Sequence, residues 1–190
     1  MSDRSLDAAY FAGIYARSED PWGFATSPYE RAKYDATLAA LPAPHFRRAL
    51  EIGCSIGVLT ARLAQRCDEI VGIDIDPRAL ELARVRCASC SNVRFERRTF
   101  PHETVPGPFD LVLVSEVAYY WSATDFARAR ERIAASAPGG FVELVHYLPG
   151  VPDYARTGDA VHDEFARDAR FERVGGMRAE RYRLDVLRVR

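Results

Sequence analysis

At 190 residues, 48% of them hydrophobic and 28% charged, the chain has the size and composition of one globular domain, which excludes a disordered or collagen-like reading. Lysine plus arginine number 26 against 27 acids, a net charge of −1. The chain therefore lacks the concentrated positive field that nucleic-acid or anionic-membrane binding uses, and a small-molecule partner fits better.

The four cysteines, Cys54, Cys67, Cys87 and Cys90, are too few and too unevenly spaced for a disulfide-stapled secreted domain. The N-terminus carries acids in place of an apolar leader, and no window holds the roughly 18 apolar residues of a spanning helix. A cytoplasmic chain with free thiols is expected. Lys33 is the one lysine beside 25 arginines, and this bias reads as genome composition without functional content.

Residues 6–17 place Leu6, Ala9, Tyr10, Gly13 and Ile14 at helical spacing, which predicts a short amphipathic helix serving as a lid or cap. Pro21 and Pro28 bracket an irregular loop around Trp22. Residues 29–41 then resume a helical pattern that stops before Pro42 and Pro44. From Ala49 onward, apolar runs at 49–52, 70–73, 93–95, 111–114 and 141–146 alternate with helical patterns at 58–66, 77–88, 124–135 and 161–168. Such βαβα alternation specifies a mainly parallel sheet with helices on both faces. Residues 171–190 hold Gly175-Gly176 between two β-like runs, which predicts a terminal hairpin turning at those glycines and adding an antiparallel strand. One domain is expected, with a helical cap at 1–48 and an α/β core at 49–190.

The sharpest feature is Leu50-Glu51-Ile52-Gly53-Cys54-Ser55-Ile56-Gly57-Val58, where a strand passes through a glycine-containing turn into a helix. Gly53 and Gly57 permit a tight turn and close approach of backbone to a ligand. The dinucleotide pattern G-x-G-x-x-G fails, because Ser55 and Val58 stand at its second and third glycines. The P-loop fails as well, since Gly57 is followed by Val58 and Leu59.

What remains, Glu51-x-Gly53-x-Ser55-x-Gly57, resembles the acidic-x-Gly-x-Gly-x-Gly motif of class I S-adenosylmethionine-dependent methyltransferases, with Ser55 at the middle glycine. The resemblance implies a Rossmann-like sandwich: a mostly parallel seven-stranded sheet with an antiparallel C-terminal strand. It also implies S-adenosylmethionine as cofactor and S-adenosylhomocysteine as product. Asp74, at the end of Val71-Gly72-Ile73-Asp74, takes the place of the acid that binds the ribose hydroxyls, and Ile75 is placed to pack on the adenine. The family often has Gly-Asp-Ala after its third strand. This chain reads Arg98-Thr99-Phe100 instead, which leaves Thr99 or a backbone carbonyl to accept from the adenine amino group. Phe109–Val117 resembles the fourth strand, whose end, Glu116 to Tyr120, would face the methyl group.

Asp20-Pro21-Trp22-Gly23-Phe24 and Ser27-Pro28-Tyr29-Glu30-Arg31-Ala32-Lys33-Tyr34, together with the glycine loop, resemble the nodulation protein S branch of that family. Members of this branch N-methylate the deacetylated glucosamine end of a chito-oligosaccharide. The resemblance implies methylation of a small amine or amino sugar. Trp22 would cover the cofactor and Arg31 would pair with its methionyl carboxylate, more strongly than Lys33.

His146 falls at the C-terminal end of the fifth strand, where open α/β sheets place their crevice, so His146 or Glu116 could receive the acceptor's proton. Tyr119 and Tyr120 could contact the substrate. His162 falls on a predicted surface helix and carries no role. Cys87-Ala88-Ser89-Cys90 has metal-ligand spacing but no second pair, so no metal is expected. Two other functions fit the same residues: a noncatalytic module holding S-adenosylmethionine or a nucleotide, and an O-methyltransferase of a small molecule. A monomer or weak dimer is expected, with no nucleic-acid or membrane partner.

Overall fold

The computed structural model describes residues 4–190, so Met1, Ser2 and Asp3 of the acidic N-terminus lie outside the described residues. Two helices, α1 (Ala8–Tyr15) and α2 (Pro28–Ala40), precede the sheet. Each begins where the sequence supplies a cap. The Asp7 carboxylate accepts from the Tyr10 N–H, and the Ser27 hydroxyl from the Glu30 N–H with Pro28 opening the helix, satisfying donors that the first helical turn leaves unpaired.

The core then runs β1 (Phe46–Ile52), α3 (Val58–Leu63), β2 (Cys67–Asp74), α4 (Pro77–Arg86), β3 (Val93–Arg97), β4 (Leu111–Ser115), α5 (Ala123–Ser136), β5 (Phe141–Tyr147), α6 (Gly158–Ala166), β6 (Phe171–Arg178) and β7 (Tyr182–Val189). The seven strands lie in the order β3-β2-β1-β4-β5-β7-β6. β1 to β5 are parallel, and β7 runs antiparallel to both β5 and β6. β1 starts three residues earlier than the apolar run at Ala49 implied, because Phe46 is buried and opens the pairing with Cys67 of β2.

Strand periodicity assigns the two layers. Val112 and Val114 of β4 pack with Phe126, Ile133, Val161 and Phe165 of α5 and α6. Leu111 and Leu113 of the same strand pack with Tyr34, Leu59 and Leu63 of α2 and α3. The order of connection reverses between β1 and β4, and open α/β sheets place their ligand crevice at the carboxyl ends of such strands. Here those ends are Ile52 and Ser115.

The terminal hairpin turns at residues 179–181. Gly175 and Gly176, expected at the turn, lie inside β6, where the register slips between Arg173 and Gly175. A Cβ on Gly176 would stand 2.4 Å from the Leu184 carbonyl oxygen, so this glycine serves a bulge that brings the two strands close. The α-helix expected over 58–66 ends at Leu63 and passes into a 3₁₀ turn at Ala64–Arg66. No described helix is long and apolar enough to cross a membrane.

Glu143 of β5 is fully buried, and neither carboxylate oxygen has a hydrogen-bond partner among the described residues. Burial pushes its pKa well above the ordinary carboxylate range. The fold thus favours the protonated form, and stability falls as pH rises past that range. Glu143→Leu is expected to raise unfolding free energy by about 1–3 kcal/mol, the cost of an unsatisfied buried polar group, and by more at pH 8 than at pH 5. Urea denaturation at the two pH values checks both the sign and the trend.

Candidate active site

The turn after β1 is held by the edge of β2. The Gly53 and Cys54 N–H groups donate to the Ile73 carbonyl at 2.8 and 3.0 Å, and the Ser55 N–H donates to Asp74 Oδ2 at 2.8 Å. Gly53, Ser55 and Gly57 all have positive φ, +77°, +49° and +75°. Glycine adopts this region freely and other residues do so at a cost. Ser55 is secured there by its side chain, whose Oγ shares a 2.5 Å hydrogen bond with the Tyr15 hydroxyl of α1. A Cβ on Gly57 would meet Ala83 of α4 at 3.0 Å, so this glycine admits close packing of α4.

A cavity of about 420 Å³ opens above the carboxyl ends of β1, β2 and β4. Trp22, Gly53, Ser55, Asp74, Ile75, Thr99, Phe100, Glu116 and Tyr120 all line it. Leu6, Phe11, Tyr15 and Phe24 complete the wall from the N-terminal segment. That segment is fastened to the turn after β4: the Leu6 N–H donates to the Tyr120 carbonyl at 3.1 Å, and Ser5 Oγ bridges Asp125 Oδ2 and the Ser122 N–H at 2.5 and 2.9 Å.

Asp74 stands at the cavity edge with one oxygen accepting from Ser55 and the other from the Asp76 N–H at 2.9 Å. Burial raises its pKa to about 6, against the lowering effect of those backbone donors. Each carboxylate oxygen keeps a further lone pair for a ligand hydroxyl. Glu51 lies beneath the turn, 3% exposed, accepting from the Thr60 hydroxyl at 2.5 Å. Burial pushes its pKa up to about 8.

Glu116 adopts φ +56° and is held by three donors. Lys33 Nζ lies 2.5 Å from Oε1, while the Tyr119 hydroxyl and the Tyr147 N–H reach Oε2 at 2.5 and 3.0 Å. Lys33 is 2% exposed and also pairs with Glu30 at 3.0 Å. Burial opposes its charge, but Glu116 and Glu30 outweigh that and hold the ammonium above its usual pKa.

Five expected site residues stand outside the cavity wall. Gly57 faces α4. Glu51 is under the turn. Arg31 is exposed on α2, because the helical face turned toward the core at that level carries Glu30, Lys33 and Tyr34. Tyr119 reaches the site only through Glu116, its ring stacked on Tyr154 at 4.6 Å. His146 is fully buried behind the turn, where its Nε2 accepts from the Ala118 N–H at 3.3 Å. Burial and neighbouring His162 lower its pKa well below the usual value. His162, expected on a surface, is 1% exposed and packed against Asp185. Among the described residues no group of three or more His, Cys, Asp or Glu is placed to hold a metal ion.

The sequence profile of nodulation protein S (NodS) matches residues 15–136, more than half of the chain. The chain belongs to the nodulation protein S family. It is 34% identical over 131 residues to Nodulation protein S of Rhizobium tropici, 65% of this chain and 53% of that one. Its likeness to the Bradyrhizobium diazoefficiens protein is 32% over 103 residues, 54% and 49% of the two chains. The chain spans about half the length of these curated relatives.

Among solved structures, a candidate methyltransferase from Pseudomonas syringae is 35% identical with a TM-score of 0.75, covering 84% of this chain and 98% of that one. N-methyltransferase NodS from Bradyrhizobium japonicum, solved with S-adenosylhomocysteine, shares the fold at a TM-score of 0.86. It is 23% identical, with 96% and 97% coverage.

Two outcomes test the site's electrostatics. Lys33→Met leaves two buried carboxylates facing each other and is expected to cost about 3–5 kcal/mol of stability, whereas Arg31→Ala is expected to cost under about 0.5 kcal/mol, both read by urea denaturation at pH 7.5. Glu51 has its pKa raised from 4.5 to about 8, so its contribution to stability declines as pH rises through that window. Glu51→Gln removes this decline. Between pH 5.5 and 8 the wild type is expected to lose about 3 kcal/mol more than the variant, at roughly 1.4 kcal/mol per pH unit.

Proposed function

We propose that the chain is an S-adenosylmethionine-dependent methyltransferase that N-methylates a small amine or amino sugar, such as the deacetylated end of a chito-oligosaccharide. The observation that carries this reading is Asp74, a carboxylate set at the edge of a largely apolar cavity beside the Gly53–Ser55 turn. Family membership supports it, as does the fold shared with a NodS N-methyltransferase that holds S-adenosylhomocysteine.

The lining fits that cofactor by its chemistry. Asp74 suits the ribose diol, Ile75 and Phe100 suit the adenine faces, and Thr99 offers a polar group at the base edge. Trp22 packs on Tyr15 and Phe24 in the cavity wall, where it would cover the cofactor and exclude water. When bound, S-adenosylmethionine supplies a sulfonium methyl carbon that needs alignment with a nucleophile more than acid catalysis. Glu116 sets a carboxylate on the wall at the end of β4, where it would attract the ammonium form of an acceptor and receive the proton that must leave before the nitrogen lone pair attacks the methyl carbon. His146 is fully buried and does not line the cavity, so this reading does not hand it the acceptor's proton. Exposed Arg31 has no part in this reading.

Titration calorimetry is expected to give low-micromolar dissociation constants for S-adenosylmethionine and S-adenosylhomocysteine, about −8 kcal/mol, and no heat with NAD. Asp74→Ala is expected to weaken both by about 2–3 kcal/mol, as for a hydrogen bond to a charged group. Transfer of labelled methyl to glucosamine-terminated oligosaccharides and other amines, but not to phenols or alcohols, completes the test. Absence of heat with either ligand overturns the reading, and binding without transfer leaves a noncatalytic module.

A further inference from the structure

Behind the cavity a line of buried polar side chains joins β7 to the turn that follows β4. Asp185 of β7 accepts from His162 Nδ1 at 2.7 Å. It also accepts from Arg173 Nε at 2.6 Å and Arg183 Nε at 2.8 Å. His162 Nε2 lies 3.2 Å from His146 Nδ1, and His146 Nε2 lies 3.3 Å from the Ala118 nitrogen. Asp185 and His162 are 1% exposed and His146 is fully buried.

The proton positions follow from one fixed donor. A backbone N–H can only donate, so His146 Nε2 is the acceptor and the proton of the neutral imidazole sits on Nδ1. That proton points at His162 Nε2, which places the proton of His162 on Nδ1, aimed at the Asp185 carboxylate. Two neutral imidazoles and one ionised carboxylate satisfy every link, with all the donors pointing the same way, an arrangement in which each bond polarises the next. Burial drives both imidazoles toward the neutral form.

The end of this line holds a short segment with an unusual share of the site. Ala118 opens the 3₁₀ turn Ala118–Tyr120. Two residues before it, Glu116 stands at φ +56°. The next residue, Tyr119, donates to Glu116 and packs its ring edge-on against His146 with centroids 5.3 Å apart. Tyr120 takes the Leu6 N–H of the cap through its carbonyl.

We propose that His146, His162 and Asp185 are positioning residues that fix the Glu116–Tyr120 turn, and that they govern methyl transfer without touching cofactor or acceptor. The inference rests on the function proposed above, with Glu116 acting at the cavity wall. A shift of the turn by a fraction of an ångström moves the carboxylate, its Tyr119 donor and the cap latch together.

The test uses the full chain with S-adenosylmethionine and a chitotetraose bearing one free terminal amine. It adds ¹⁵N spectra and amide exchange of the S-adenosylhomocysteine complex. His146→Leu is expected to lower kcat about 10–100-fold, to leave the S-adenosylhomocysteine dissociation constant within about threefold, and to speed exchange of the Ala118 amide at least about tenfold. His146→Gln, whose Oε1 can take the Ala118 N–H, is expected to restore most of both. Asp185→Asn, two links away, moves both readouts in the direction of His146→Leu and decides the matter should that variant not fold. Wild-type spectra are expected to show both imidazoles protonated on Nδ1. Equal losses in His146→Leu and His146→Gln, unchanged Ala118 exchange in Asp185→Asn, or a proton on His146 Nε2 would each overturn the proposal. Should the wild type methylate no oligosaccharide, the acceptor reading fails, while exchange and tautomer still decide the relay.

Discussion

Lys33 is an ammonium taken almost wholly out of water and stabilised by the two carboxylates beside it, with the Tyr29 ring beneath it at 5.3 Å. Removing charges from water is expensive, and such a cluster persists where its geometry satisfies all the partners at once. Here the partners belong to different parts of the chain. Glu30 and Lys33 lie on α2, ahead of the sheet, and Glu116 lies at the end of β4 in a backbone conformation that non-glycine residues seldom adopt. The cluster therefore fixes where the cap helix sits, which way the post-β4 turn points and what charge the cavity wall presents. Its position explains why a chain with 25 arginines keeps one lysine. An ammonium is compact and needs few acceptors, whereas a guanidinium brings five donors in a fixed fork.

The alternation of apolar runs and helical patterns made the parallel sheet legible, because strands buried on both faces leave little else for such runs to be. Asp74 and the Gly53 turn were legible for a related reason: a strand end, a turn and a helix start are local in sequence, and their spacing survives in the fold. What depended on contacts between distant segments was not. Gly57 reads as a ligand-facing glycine until Ala83, 26 residues on, is seen against it. Gly175 and Gly176 read as a turn because glycine marks turns and bulges alike. Arg31 and Lys33 are two residues apart on one helix, and only the rotation of α2 against the sheet decides which enters the core. The lone lysine was a visible signal that a compositional explanation absorbed.

The histidines show the same limit from the other side. Position along a strand brought His146 to the correct end of the sheet, but the next residues of the chain, not His146, form the surface there. Its partner His162 sits on an amphipathic helix among Val161 and Phe165, and a helical pattern gives no reason to bury it until Asp185 is placed across from it. Buried polar groups are paired with great regularity. A histidine on an apolar helical face therefore calls for an acid elsewhere in the fold, and the pairing cannot be read from either segment alone.

The serine at the middle of the glycine turn has a kinetic side. Because its hydroxyl is bonded to Tyr15, the floor of the cavity and its roof are joined directly. A displacement of α1 that opens this bond takes one support from Ser55 and leaves the turn on its backbone bonds to Ile73 and Asp74. Substitutions at Tyr15 or Ser55 therefore act on the roof and on one support of the floor together, and are expected to change residence time more than encounter rate.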